Sequence, residues 1–270
     1  MFFFSKITNN QLTTKAAMQK KLLFGSMIVL ALTSGLVIFY PQLFGCKSYH
    51  AYKQYRVYFC GKDTARVNIA AIDSVLDQTG LLLKKTQFSS VKQPFKLFFR
   101  SKHASYINWP FQFSKEAYAQ TIPVFHNIFV WNSDFKTNNV YIPSGHHRPL
   151  ASVLAHEIVH VLYENQYGWS KILINWLDKD EKSSYGFMWK EEGYAEYIAG
   201  GSGIGMKDGL KILNGHSNPY YHPIEAEYFK YWLTIKYLID IKHFSIDQIV
   251  YEKMKFNTVL QQALTYFNQH

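Results

Sequence analysis

Residues 149–164, PLASVLAHEIVHVLYE, set two histidines and one glutamate into a stretch that is otherwise nearly all apolar. Val153, Leu154, Ile158, Val161 and Leu162 recur at helical spacing around most of the circumference, which predicts a buried helix. Burial means that His156, Glu157 and His160 need partners, because an unpaired polar group costs free energy once it leaves water. At 3.6 residues per turn His156 and His160 lie one above the other, where both imidazoles reach a single cation. Glu157 sits next to that face and can address a metal-bound water without being a ligand. This is the HExxH arrangement, with two histidines on zinc and the glutamate as general base.

A catalytic zinc usually takes three protein ligands and keeps one position open, so a further ligand is expected downstream. Residues 189–197, WKEEGYAEY, place Glu192 and Glu196 one turn apart on a helix face. One can bind the metal while the other steadies a ligand. Gly193 removes side-chain bulk where another helix would have to come close.

HEIVH followed by WKEEGYAEY resembles the gluzincin metallopeptidases, whose two-histidine motif is followed by a glutamate ligand in a W-x-x-E-G-x-x-x-Y type helix. The resemblance covers residues 138–240. It implies Glu192 as the third zinc ligand and Glu196 as the acid that hydrogen-bonds a ligand histidine, with Glu191 facing elsewhere. The gap between His160 and Glu192 is longer than in the aminopeptidase branch. The resemblance also implies that the strand just before the zinc helix, NNVYIP, lies at a sheet edge, where an extended peptide can add through main-chain hydrogen bonds. Tyr228, followed by Tyr237-Leu238, is similar in spacing to the Y…YL pattern on the late helix of these peptidases. That makes it the candidate oxyanion donor, with Tyr221 or His222 as alternatives.

At the amino terminus, residues 1–21 form a basic tail with Lys6, Lys15, Lys20 and Lys21 and no acid, and Leu22 to Tyr40 is a run of nineteen residues without a charge. Such a run approaches the ~30 Å hydrocarbon thickness, so a single-pass anchor is expected with the lysines cytoplasmic and the rest exported. A cleaved signal peptide is the rival reading. Residues 41–54 read as a linker. Cys46 and Cys60 are the only cysteines. Their placement admits a disulfide, lipidation of Cys46 in the LFGC stretch, or free thiols.

Residues 55–270 are long enough for one domain with a substantial core. Residues 55–60, 95–100, 127–131 and 139–142 are short β-branched and aromatic runs that read as strands. Residues 63–79 read as a helix with Asp63 as N-cap and Gly80 as stop, and residues 225–240 and 256–267 as later helices. The fold class is therefore α+β: a small N-terminal sheet with helices, then a helical lobe carrying the HExxH helix and the Glu-ligand helix, with zinc in the cleft between them.

Together these features predict a membrane-anchored zinc metallopeptidase acting on a peptide or protein substrate, with Glu157 as base. The net charge of +10 admits a second class, a non-catalytic, zinc-stabilised, basic binding module tethered to the membrane. The lysines are scattered without a long basic run, which argues against specific nucleic-acid recognition. GGSGIG, residues 200–205, lacks the Lys-Ser or Lys-Thr of a phosphate loop and reads as a turn. His146 and His147 have no spacing that ties them to the metal.

Overall fold

The computed structural model describes residues 24–27, 40, 42, 45–60, 67–89, 91–100, 117–122, 125–178, 188–216, 218, 220–221 and 223–270. The fold is α+β, as the sequence pattern implies.

The sheet grows from alternation. In β3 (Phe95–Arg100) and β5 (Asn127–Trp131), Phe95, Leu97, Phe99, Ile128 and Val130 point into the main core, while Phe98 and Phe129 fall on the opposite face. Period-2 alternation in strands buried on both sides gives this division. These two strands and β2 (Tyr55–Cys60) run parallel. β1 (Cys46–Tyr52) adds antiparallel to β2 at one margin, and β4 (Ala119–Ile122) adds antiparallel to β5 at the other, giving the order β1-β2-β3-β5-β4. A disulfide joins Cys46 to Cys60 across the first pair, which settles the three readings of these cysteines in favour of the bridge. Residues 46–52 are therefore part of the sheet, not a linker.

Helix α1 (Ile69–Leu83) connects β2 to β3 and buries Ile72, Val75, Leu76 and Leu83. Its N-cap is Asn68, whose side chain accepts the amide of Ala70. The expected cap, Asp63, lies outside the described residues. Gly80 does not end the helix, which runs on to Leu83.

A second, three-stranded sheet comprises β6 (Ser133–Asp134), β7 (Asn139–Tyr141) and β8 (His147–Pro149). Here the expectation of an edge strand at NNVYIP, residues 138–143, is corrected. β7 is the central strand, paired with β6 and β8, so its main chain is already used. The edge strand against the long helix is β4.

Helix α2 (Leu150–Leu177) follows β8 directly. Its first half buries Leu150, Val153, Leu154, Ile158, Val159, Val161 and Leu162. Full burial of each such side chain stabilises by ~1.5–3 kcal/mol, which outweighs the modest helix propensity of the β-branched residues. Gly168, at φ 72°, breaks the helix axis, a conformation that costs glycine little.

Helix α3 (Trp189–Ala199) is buried on nearly every side. It packs between α2 and α5 (Pro223–Lys236), and α5 continues through a π-helical turn, Tyr237–Ile241. Gly193 explains the closeness of α3 and α5. A Cβ there would sit 2.6 Å from both the Tyr231 carbonyl oxygen and Ile235 Cγ1. Helices α4 (Met206–Leu213), α6 (Ile246–Tyr251) and α7 (Phe256–Gln269) complete the helical lobe.

The single-pass anchor expected over Leu22–Tyr40 is corrected. Among the described residues no helix is long and apolar enough to cross a membrane. Of that stretch, residues 24–27 are described as helical. The topology built on the anchor, with the domain exported, falls with it. Residues 1–21 and most of 22–40 lie outside the described residues.

Candidate metal centre

Three elements converge on one point. α2 supplies His156 and His160, α3 supplies Glu192, and β4 lies along α2 at the same level. The two Nε2 atoms are 3.1 Å apart, and Glu192 Oε2 lies 3.3 Å from that of His156 and 3.7 Å from that of His160. A tetrahedral zinc with bonds of about 2.0–2.1 Å separates its ligand atoms by about 3.3–3.4 Å. The three donors stand close to that spacing on every edge. Glu192 Oε2 is also buried without a hydrogen-bond partner among the described residues, as an acceptor awaiting a cation would be. The donor set of two imidazoles and a carboxylate therefore fits zinc.

Behind each histidine stands a carboxylate. His156 Nδ1 is 3.1 Å from Glu196 Oε1, and His160 Nδ1 is 2.7 Å from Glu191 Oε1. Such contacts orient the two rings so that each Nε2 faces Glu192 Oε2. Glu191, expected to face elsewhere, is thus the partner of His160. The helix turns by about 100° per residue, and that rotation carries Glu191 beside the lower histidine while Glu192 points between the two.

Glu196 is held in turn by Arg148 of β8, through two hydrogen bonds of 2.8 Å from Nη1 and Nη2. Nη2 also donates to the Gly201 carbonyl at 2.9 Å, so the glycine-rich turn after α3 closes over this arginine. No motif marked Arg148 in the sequence. The requirement is physical: a carboxylate on a helix as buried as α3 needs a counter-charge.

The field of the site is negative. Burial alone would lower the His156 pKa, but Glu196 and Glu192 outweigh it and raise the group to about 10. His160 is raised against the same burial by Glu192 and Glu191, to about 9. Burial opposes ionisation of Glu196, yet Arg148 and His156 hold its carboxyl down at about 2. A pocket that raises the pKa of two imidazoles against desolvation also attracts a divalent cation.

Glu157 is turned toward β4, where the Thr121 hydroxyl donates to Oε2 at 2.6 Å. Tyr228 of α5 is partly buried, with its ring centroid 6.0 Å from that of His156. Burial, and then Glu192, Glu196 and Glu157, raise its hydroxyl well above the ordinary tyrosine value, so it remains a donor. Tyr221 is instead directed at Asp208, with its hydroxyl 3.5 Å from Oδ2, and His222 lies outside the described residues. His146 stands 3.8 Å from Glu225, which also accepts from Tyr118 at 3.2 Å. His147 is in β8, exposed and paired with Tyr141.

The chain matches no family model, and no curated protein matches it.

Proposed function

We propose that the protein is a zinc-dependent metallopeptidase of the gluzincin type, with His156, His160 and Glu192 as ligands and Glu157 as general base. The observation that carries this reading is the donor triangle, its edges near the tetrahedral spacing and a carboxylate behind each histidine. A zinc ion held there would supply positive charge to polarise a carbonyl and acidify a bound water.

The chain's own residues would do the rest. Glu157 is one residue from a ligand and engages none of the three donors, which leaves it free to take a proton from the attacking water and pass it to the leaving amine. Tyr228, kept protonated by its acidic surroundings, would donate to the oxyanion. Among the described residues β4 has an unpaired margin beside α2, and an extended peptide can add there through its backbone, with little demand on side-chain identity. A site used only for structure has no need of a base or an open margin.

The test is incubation of the zinc-loaded full chain with a library of unstructured peptides, read by mass spectrometry, beside the Glu157→Gln variant. Cleavage by the parent and not by the variant is expected. Stoichiometric zinc without cleavage by either would leave a structural metal site and sink the peptidase reading.

A further inference from the structure

Thr121 sits on β4, where side chains alternate: Ala119 and Thr121 share one side and Gln120 and Ile122 the other. Its hydroxyl lies 2.6 Å from Glu157 Oε2 and 3.1 Å from the Glu157 carbonyl oxygen. Among the described residues no other side chain hydrogen-bonds the Glu157 carboxylate. One oxygen is therefore fixed from the strand, and the other is left to handle a proton.

A glutamate side chain has three rotatable torsions, and near a metal pocket it can also swing onto the ion as a ligand. A single donor on the far oxygen selects among these positions. We propose that Thr121 is the positioning residue for the general base, and that it ties the orientation of Glu157 to the strand on which a substrate would lie. This rests on the peptidase reading. β4 pairs with β5 on one side and, among the described residues, ends the sheet on the other. A peptide added to that free side takes its register from the β4 main chain, so the residue that aims the base also belongs to the strand that sets the scissile bond. Base and substrate then move together if the strand shifts, and their relative geometry is preserved.

The variants that test this are Thr121→Val, which keeps the shape and removes the hydroxyl, and Thr121→Ser, which restores it. A hydrogen bond to a charged group corresponds to about a ten- to hundredfold effect. Thr121→Val should lower kcat by that factor on a peptide the parent cleaves, with KM and zinc content unchanged, and Thr121→Ser should recover most of the loss. In a crystal structure of zinc-loaded Thr121→Val the Glu157 carboxylate should leave its place. Full activity in Thr121→Val overturns the proposal, as does a loss that serine fails to rescue or that is accompanied by loss of zinc. Glu157→Gln, assayed in parallel, separates the two claims: if it is inactive while Thr121→Val is fully active, only the positioning role fails. If the parent cleaves nothing, the peptidase reading fails, and an unmoved carboxylate in the Thr121→Val crystal would overturn the positioning role as well.

Discussion

Arg148 and Glu196 form a fully buried, two-pronged ion pair, with both hydrogen bonds at 2.8 Å. The guanidinium fork matches the carboxylate plane, and lysine cannot reproduce that geometry. Removing one partner of a buried pair leaves an uncompensated charge. Arg148→Met should therefore destabilise the metal-free protein by ~3–5 kcal/mol in urea unfolding. The acid limb gives a second readout. With the Glu196 carboxyl held at about 2, its contribution is complete above the ordinary glutamate value of 4.5 and is lost as the pH falls toward 2. In Arg148→Met that acid-dependent loss should shrink.

The roles of the three glutamates of α3 should separate in metal content. Glu192→Ala removes a donor from the triangle and should abolish stoichiometric zinc. Glu191→Ala and Glu196→Ala leave all three donors but free the rings behind them, and should weaken affinity by roughly 10- to 100-fold. Equal loss in all three variants would show that the lobe unfolds.

Gly193 is a packing requirement. An added methyl would have to share space with the Tyr231 carbonyl at 2.6 Å, and backbone cannot yield as the end of a flexible side chain can. Overpacking of this kind costs ~1–3 kcal/mol or more. Gly193→Ala should lower the urea midpoint and also reduce zinc affinity, because displacement of α3 moves Glu192.

Several of these features could be read in the sequence. Periodicity placed α2 and its two histidines, alternation placed β2, β3 and β5, and the glycine of WKEEGYAEY pointed to a close helix approach. These signals are local, repeating within a few residues. What was not legible depends on contacts between distant segments. Thr121 and Glu157 are 36 residues apart, and Arg148 and Glu196 are 48 apart. Its place before the HExxH helix points to residues 138–143 as the edge strand, but β6 and β8 enclose that strand, and among the described residues the free margin belongs to β4. An uncharged run suggested a membrane span, and hydropathy alone carried that expectation. The spacing of the motif points Glu191 elsewhere, although its side chain is long enough to reach His160 from the neighbouring position.

The histidine pair would couple metal binding to proton release. Carboxylates raise both imidazoles, to about 10 and 9, but the 3.1 Å contact leaves room for only one proton between the two Nε2 atoms. The pair therefore titrates as a unit. Zinc needs both Nε2 lone pairs, so binding at pH 7 should release about one proton, measured by calorimetry in buffers of different ionisation enthalpy. In the metal-free protein the raised values contribute stability that is complete below pH 6.5 and lost as the pH rises through 9 to 10. The zinc-loaded protein should lack that alkaline loss. Zinc uptake without proton release would mean that the rings are neutral beforehand.

Catalysis and metal binding should separate at residue 157. Glu157 contributes no atom to the donor triangle, and its Oε2 is engaged by Thr121. Glu157→Gln keeps the length of the side chain and a carbonyl oxygen that can still accept from the threonine, so the fold and the zinc content should be those of the parent. The amide cannot take a proton from water at neutral pH, and hydrolysis should fall by at least ~10²-fold, the lower end of what a placed general base contributes. His156→Ala should differ in kind. Two remaining protein donors rarely hold zinc in a catalytic site, so metal and activity should disappear together. Zinc content by mass spectrometry, measured beside cleavage for both variants, distinguishes a lost base from a lost metal. A Glu157→Gln protein that binds zinc normally and cleaves as fast as the parent would place the base elsewhere and reduce HEIVH to a metal clamp.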